Sequence, residues 1–313
     1  MKKNNKDEIR RAILEKYAGR KTLTLTEQIE VLSMVQVTDL SGKLEDFWSL
    51  SSSPVINEYC RVRAANPLLI CHECFSLASM HYKKELRLAL EYNSIVFSTW
   101  LFDDTSLATI PFPVVVGYGR IESHGDVRNV THARNYIRFI RVHSWINFGV
   151  WSKNLAFYAK AFEQETKPGN MTFIASSPFY NRPMVIPEKF RYFVDHVFTV
   201  YRKQYASENN IDINCGARSC KGCLNCYKKD TVYYINEVLK QDATKKENRP
   251  VLIGTVDWTH NADKSITLVF HDMTNDRITT KHYKTERGAK IAETKFFDKI
   301  NRNKVEQDIK NNM

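Results

Sequence analysis

Four of the chain's seven cysteines fall between positions 215 and 226, as Cys215-x4-Cys220-x2-Cys223-x2-Cys226, with Gly216 and Gly222 inside the run to let the backbone turn tightly. Thiols this close in sequence can converge on one centre without help from distant chain, so the run predicts a metal site. Structural zinc sites usually split their ligands into two separated pairs. A compact run with repeated two-residue spacing is instead the pattern that wraps an iron–sulfur cluster. The spacing favours iron–sulfur with zinc as the alternative, because thiolates suit both metals; four cysteines without metal are the plain reading. The other three thiols, Cys60 and the pair Cys71-x2-Cys74, form a second group, and three plus four leaves none of the seven over. A cluster held by three thiolates has one iron open to a substrate or cofactor, whereas a four-thiolate cluster is closed. Cys60 is equally explained as a small buried hydrophobe, and His72 is an alternative ligand in its place.

The segment Arg120-Ile121-Glu122-Ser123-His124-Gly125-Asp126 is the other place where chemistry concentrates. On an alternating strand Arg120, Glu122 and His124 share a face, and Gly125 lets the backbone come close to a ligand before Asp126. Such a set either binds something or forms a surface salt-bridge ladder. In the functional reading His124 transfers a proton, Arg120, Glu122, Gly125 and Asp126 contact a cofactor, and Lys153 and Ser176 line the same rim. Trp145, Phe148, Trp151, Phe157 and Tyr158 read as core aromatics. No Walker A pattern, G-x-G-x-x-G or nucleophile elbow is found.

Short apolar strands alternating with amphipathic helices must position these residues. Strands are expected near 47–50, in the β-rich segment 111–122, and at 146–151, 171–175, 196–201 and 211–213, six in all. Helices are expected over 7–17, over 26–32 with Thr26 as the cap, in one long stretch around Tyr82 to Leu90, through Tyr136 to Ile140, over 155–162, 190–194 and 232–239. The alternation predicts an α/β fold with a parallel sheet, whose site lies at the C-terminal ends of the strands. After a polar stretch at 242–250, strands at 251–258, 265–271 and 277–283 read as an antiparallel meander, closed by a basic helix from 286 to about 301. The expected organisation is a helical prefix at 1–45, a cysteine-bearing unit at 46–228 and a basic accessory β-plus-helix module at 229–313.

The 313 residues, 43% hydrophobic and 12% aromatic, are ample for one large domain with an appendage. A formal net charge of +11, from 46 Lys and Arg against 35 Asp and Glu, favours an anionic substrate or nucleic acid, although a solvated basic surface explains it too. The charged N-terminus leads into no apolar region of the secretory kind and no long apolar run follows, so a cytoplasmic location without membrane contact is expected. There, clustered thiols read as metal ligands, not disulfides.

The order of these motifs, from Cys60 and Ile70-Cys71-x2-Cys74-Phe75 through Arg120–Asp126 and Trp151-Ser-Lys153-Asn154 to Ile213-Asn-Cys215 and Cys226-Tyr227, resembles the phage and prophage family called gene product eighty-eight, over about residues 46 to 228. That resemblance implies a bacterial or phage cytoplasmic protein more than a reaction. More distantly, the chain is similar to radical S-adenosylmethionine enzymes. Those are partial βα barrels of six parallel strands, with a cluster-binding cysteine loop after the first strand, a glycine-acidic motif after the second, and often an auxiliary cluster. Cys71, Cys74 and Phe75 stand where the loop would be, and Gly125-Asp126 where the second motif would be. The chain departs from that pattern in lacking C-x3-C-x2-C, with Cys60 farther upstream. The resemblance implies one or two 4Fe–4S clusters, with S-adenosylmethionine at the open one. The alternative is a non-enzymatic nucleic-acid-binding protein with a structural zinc.

Overall fold

Six parallel strands follow one another across the main sheet in the order in which the chain makes them. The computed structural model describes residues 3–113, 115, 117–239, 254–261, 263–272, 277–293 and 295–296. Its strands are β1 Val37–Asp39, β2 Trp48–Leu50, β3 Tyr118–Ile121, β4 Asn147–Ser152, β5 Met171–Tyr180, β6 His196–Tyr201 and β7 Tyr234–Val238, in the sheet order β1-β2-β3-β4-β5-β6-β7. β1 is antiparallel to β2, and every later neighbour is parallel. Strands β8 Gly254–His260, β9 Ile266–Asp272 and β10 Arg277–Tyr283 form a separate antiparallel sheet.

The helices are α1 Lys3–Lys16, α2 Leu25–Leu32, α3 Glu58–Ala64, α4 Phe75–Tyr82, α5 Lys84–Thr99, α6 Asp104–Leu107, α7 Val130–Val142, α8 Leu155–Phe162, α9 Lys203–Glu208 and α10 Cys220–Cys223. α2 is capped by Thr24, two residues before the expected cap. Thr24 and Glu27 form a capping box in which the Glu27 carboxylate accepts from Thr24 N at 2.8 Å. α7 is held at its start by Asn129 Oδ1, which accepts from His132 N at 2.9 Å. Its buried stripe, Ala133, Tyr136, Ile137, Phe139 and Ile140, packs with Tyr92 and Phe97 of α5, Leu155 and Tyr158 of α8, and Phe148, Val150, Phe173 and Ala175 of the sheet in one core. Ile13, Tyr17, Val31 and Leu32 of the first two helices belong to that same core.

The helices therefore cover one face of the sheet, and Arg120, Gly149 and Trp151, alternating with those core residues, point to the other. That second face is where the second cysteine run lies. A side chain at Gly149 would meet the Cys226 carbonyl at 3.0 Å.

Several expectations are corrected. Residues 211–213 are not a strand, and 232–239, expected as helix, supply β7 instead; Ile235 is buried and Tyr234 exposed, the alternation of an edge strand. Residues 190–194 hold only the end of a short 3-10 turn, Glu188–Phe190. The long helix is two, broken at Lys83. α3 is a helix beyond those expected, and its cap Asn57 accepts from Tyr59 N at 3.1 Å.

The described residues divide into two compact units, one of 3–76 and 83–239, the other of 77–82 and 254–296. In the second, Ile266, Leu268 and Phe270 of β9 pack with Ala289, which lies in the helical stretch 286–293. The polar stretch 242–250, the residues 251–253 and those from 297 onward lie outside the described residues.

Candidate metal and cofactor sites

Asp126 is the centre of the first group. It follows β3, is buried, and accepts from five donors nearby. Its Oδ1 accepts from Ser152 Oγ at 2.7 Å and from Val127 N at 2.8 Å, its Oδ2 from Lys153 N at 2.9 Å, and its carbonyl from Asn57 Nδ2 at 2.6 Å and Ser52 Oγ at 3.0 Å. The loops after β2, β3 and β4 are thereby tied together at the C-terminal ends of the strands. Burial pushes the Asp126 carboxyl up, and the hydrogen bonds from Lys153 and Ser152 pull it back.

The three upstream cysteines reach this point by two turns of chain. α3 brings Cys60, and the 3-10 turn Ile70–Glu73 with its cap brings Cys71 and Cys74, closed by Cys74 N donating to Cys71 O at 3.2 Å. Glu73 pins this turn to the far strand ends, accepting from Tyr180 Oη at 3.0 Å and from Arg202 at 3.4 Å. Burial raises Cys60 well above an ordinary thiol, and the charges of Asp126, Cys74 and Cys71 add to it. Cys71 is raised by burial, while Lys153 and Arg63 favour its thiolate. Tyr59, whose phenol is pushed up by burial and then by Asp126 and the same thiols, has a buried hydroxyl with no hydrogen-bond partner. His72 Nδ1 lies 3.0 Å from the Ala64 carbonyl, an internal tie.

The second group is built differently. Residues 212–215 run beside β7, with Cys215 N donating to Asn236 O at 3.0 Å and Asn236 N to Asn214 Oδ1 at 2.9 Å. α10 sets Cys220 and Cys223 one turn apart, capped by Ser219 Oγ, which accepts from Gly222 N at 3.1 Å. Leu224, in the left-handed region at φ 58°, reverses the chain so that Cys226 returns toward them. Tyr227 then anchors the run, buried against Phe47, Tyr118 and Trp151 at centroid distances of 5.0, 5.7 and 5.7 Å. Lys43, ahead of β2, reaches the Cys215 carbonyl at 3.5 Å and Glu237 of β7 at 3.9 Å, and Lys221 pairs with Asp46 at 3.0 Å. The cysteine run thus bridges from the last strand of the sheet to the segment before the first parallel one.

Arg120 serves this second group. Its guanidinium stacks on Trp151 at 3.9 Å and its charge favours the thiolates of Cys220 and Cys226. Burial raises both thiols, and it raises Cys215 to about 11. Arg120 Nε and Tyr227 Oη, both neighbours of these thiols, are buried donors without a partner. Such orphans cost about 1–3 kcal/mol each unless something accepts from them.

The shared face expected for Arg120, Glu122 and His124 does not exist. β3 ends at Ile121, and Glu122 takes φ 62°, which swings its side chain to the helix-covered side. There its carboxylate accepts from Ser52 Oγ at 2.6 Å, Ser52 N at 3.0 Å and Tyr136 Oη at 3.0 Å. Burial lifts the acid from 4.5 to about 8, with Asp126 adding to it and the Ser52 bonds opposing. Glu122 is consumed by internal bonds. Gly125, at φ 66°, approaches protein instead of ligand: a Cβ there would stand 2.6 Å from the Ser52 carbonyl. His124 is half-buried, its Nδ1 3.0 Å from Ser76 Oγ and its ring 5.9 Å from that of Phe75; burial, then Arg120 and Lys83, lower it to about 4, so it is neutral near pH 7. Lys153 is half-buried beside Cys71 and Asp126, and Ser176 is buried in β5 just before a register shift.

No family model, curated protein or solved structure matches the chain.

Glu122 and Asp126 stand out in the sequence, but the groups that bind them do not. Ser52, Asn57, Tyr136 and Ser152 hold Glu122 and Asp126 in place, and small hydroxyls in a Ser-rich turn carry no motif. Among the described residues no three Cys, His, Asp or Glu side chains are arranged to hold one metal ion as they stand, and no helix is long and apolar enough to cross a membrane. The thiols nonetheless form two neighbourly sets, each with a cationic side chain and at least one orphaned donor beside it. In kind and number these donors fit thiolate-held clusters.

Proposed function

We propose that this chain is an iron–sulfur protein in which Cys60, Cys71 and Cys74 hold one cluster and Cys215, Cys220, Cys223 and Cys226 hold another. The observation that carries the reading is the pairing of orphaned buried donors with the thiols: Tyr59 Oη beside Cys60 and Cys71, and Arg120 Nε and Tyr227 Oη beside Cys220 and Cys226. A dense anionic group held by thiolates would accept from each. Lys153 and Arg63 lower the cost of charging Cys71, and Arg120 does so for Cys220 and Cys226.

The chain's own residues divide the labour. Glu73 holds the Cys71–Cys74 turn over the strand ends, Asp126 ties three loops beneath it, and Tyr227 fixes the second run on the sheet. A cluster held by three thiolates supplies one open iron and, with S-adenosylmethionine, one-electron chemistry on an anionic or nucleic-acid substrate. Lys153 is the cofactor-facing cation in this reading, and Glu122 and Gly125, being spent inside the protein, are not. Six parallel strands in unreversed order have no switch point, which suits a partial βα barrel of the radical S-adenosylmethionine kind. The bridge from β7 to Lys43 supports the same curvature.

The alternative is a nucleic-acid-binding protein with zinc on the second run, favoured by the basic side chains Lys43, Arg120 and Lys221 around it. Purification without oxygen decides between them. The proposed protein is brown, absorbs near 400 nm and carries iron with acid-labile sulfide; a colourless protein containing zinc would end the proposal.

A further inference from the structure

A cleft of about 870 Å³ opens between α3, the end of α5 and the starts of α7 and α8, with Tyr59, the neighbour of Cys60, in its lining. Its charge is one-sided. Arg61, Arg63 and Arg128 line it against a single carboxylate, Glu58. Arg128 donates to the neutral Ser98 Oγ at 3.2 Å, and Arg63 stacks on Tyr59 at 4.4 Å. Neither has a carboxylate partner among the described residues, although both are half-buried, where an unpaired cation is costly. Burial, and then the charge of Arg61, lower the guanidinium of Arg128.

The rest of the lining is suited to more than an inorganic ion. The space falls in the range of sites for organic ligands, not of single anions. The side-chain amide of Asn154 and Nδ2 of Asn66 make no bond to described residues, and Val62, which is 65% exposed, and Phe157 offer apolar walls. Guanidinium groups for phosphate, amides for base or sugar edges and flat apolar walls for a ring are the requirements of a nucleotide. We infer that this cleft binds the phosphate of a nucleotide, free or within a single strand, through Arg63 and Arg128, with Asn66 and Asn154 reading the adjoining base or sugar. The inference goes beyond the cluster reading and does not depend on it.

The test is fluorescence anisotropy of a labelled single-stranded DNA dodecamer with the full chain, over a salt series, with unlabelled strand or adenosine 5′-monophosphate as competitor. Arg63→Gln with Arg128→Gln should weaken binding at least about tenfold and flatten the slope of log affinity against log salt by about 1.4, or 0.7 per phosphate contact. Asn154→Asp, which adds a negative charge with little change of shape, should weaken it as well. Displacement by the mononucleotide would assign the cleft to a free nucleotide, and displacement by strand alone to nucleic acid; either bears the inference out. Unchanged affinity and slope in both the arginine double variant and Asn154→Asp would overturn it. Metal content measured on Arg128→Gln alone, a residue with no part in the cluster reading, should stay that of the parent while its nucleotide affinity falls, so failure here is distinct from failure of the cluster proposal.

Discussion

Glu122 and Gly125 carry consequences that can be measured one residue at a time. The Glu122 carboxyl is raised in the fold from 4.5 to about 8, so the folded chain binds more protons than the unfolded one across that window. The stability it confers is fully present below about pH 4.5 and is lost as pH rises toward 8. Glu122→Gln should therefore flatten the fall in stability between those pH values, seen in denaturant midpoints at several pH; an unaltered profile would count against the burial argument. His124 acts in the opposite sense. Its pKa is lowered to about 4, so its contribution is present above 6.5 and lost as pH falls toward 4. Gly125→Ala should destabilise by about 1–3 kcal/mol, since it combines a left-handed φ with a Cβ only 2.6 Å from the Ser52 carbonyl. A neutral effect on denaturant unfolding would show that the loop relaxes freely.

Tyr227 is the hinge of the account at the level of elements, because it fastens the second cysteine run to β3, β4 and the residue before β2. Tyr227→Ala should cost about 3–5 kcal/mol, as for other buried aromatics. It should also lower metal bound by the second group while leaving that of the first, read by metal analysis on folded protein. Equal loss from both groups would mean that the run is not separately anchored. Strands β2, β4 and β6 were legible as short apolar runs, β3 lay within a longer β-rich segment, and β5 runs on to Tyr180, past the apolar residues that mark its start. β7 was not legible: Tyr-Ile-Asn-Glu-Val holds one buried apolar residue between polar ones, and only its pairing with β6 makes it a strand. Three-residue β1 carries too little pattern to be seen. The two cysteine groups were legible from spacing, but the reversal of Glu122 was not, because a left-handed glutamate has no sequence signal.

Across the whole molecule, the parallel series β2 to β7 and all seven cysteines lie before Leu239. A chain ending at Leu239 should keep the metal content of the full chain, and loss of metal on truncation would tie the sites to later residues. Cys60 and Cys71 lie near Asp126, which joins the loops at the C-terminal ends of β2 to β4. The second group is placed differently, since no strand precedes Cys215 directly and the run lies along β7 and onto the sheet face. Fold class was legible because alternation of strand and helix survives tertiary detail, whereas the course of the 211–227 segment depends on Tyr227 finding Phe47, Tyr118 and Trp151. The claim that two separate thiol sets each hold a cluster is tested most directly by iron and sulfide counts on anaerobically purified Cys74→Ser. Two 4Fe–4S clusters carry about eight irons per chain, and the variant should keep about four. If all the iron disappears together, one site draws on both groups and the account is wrong.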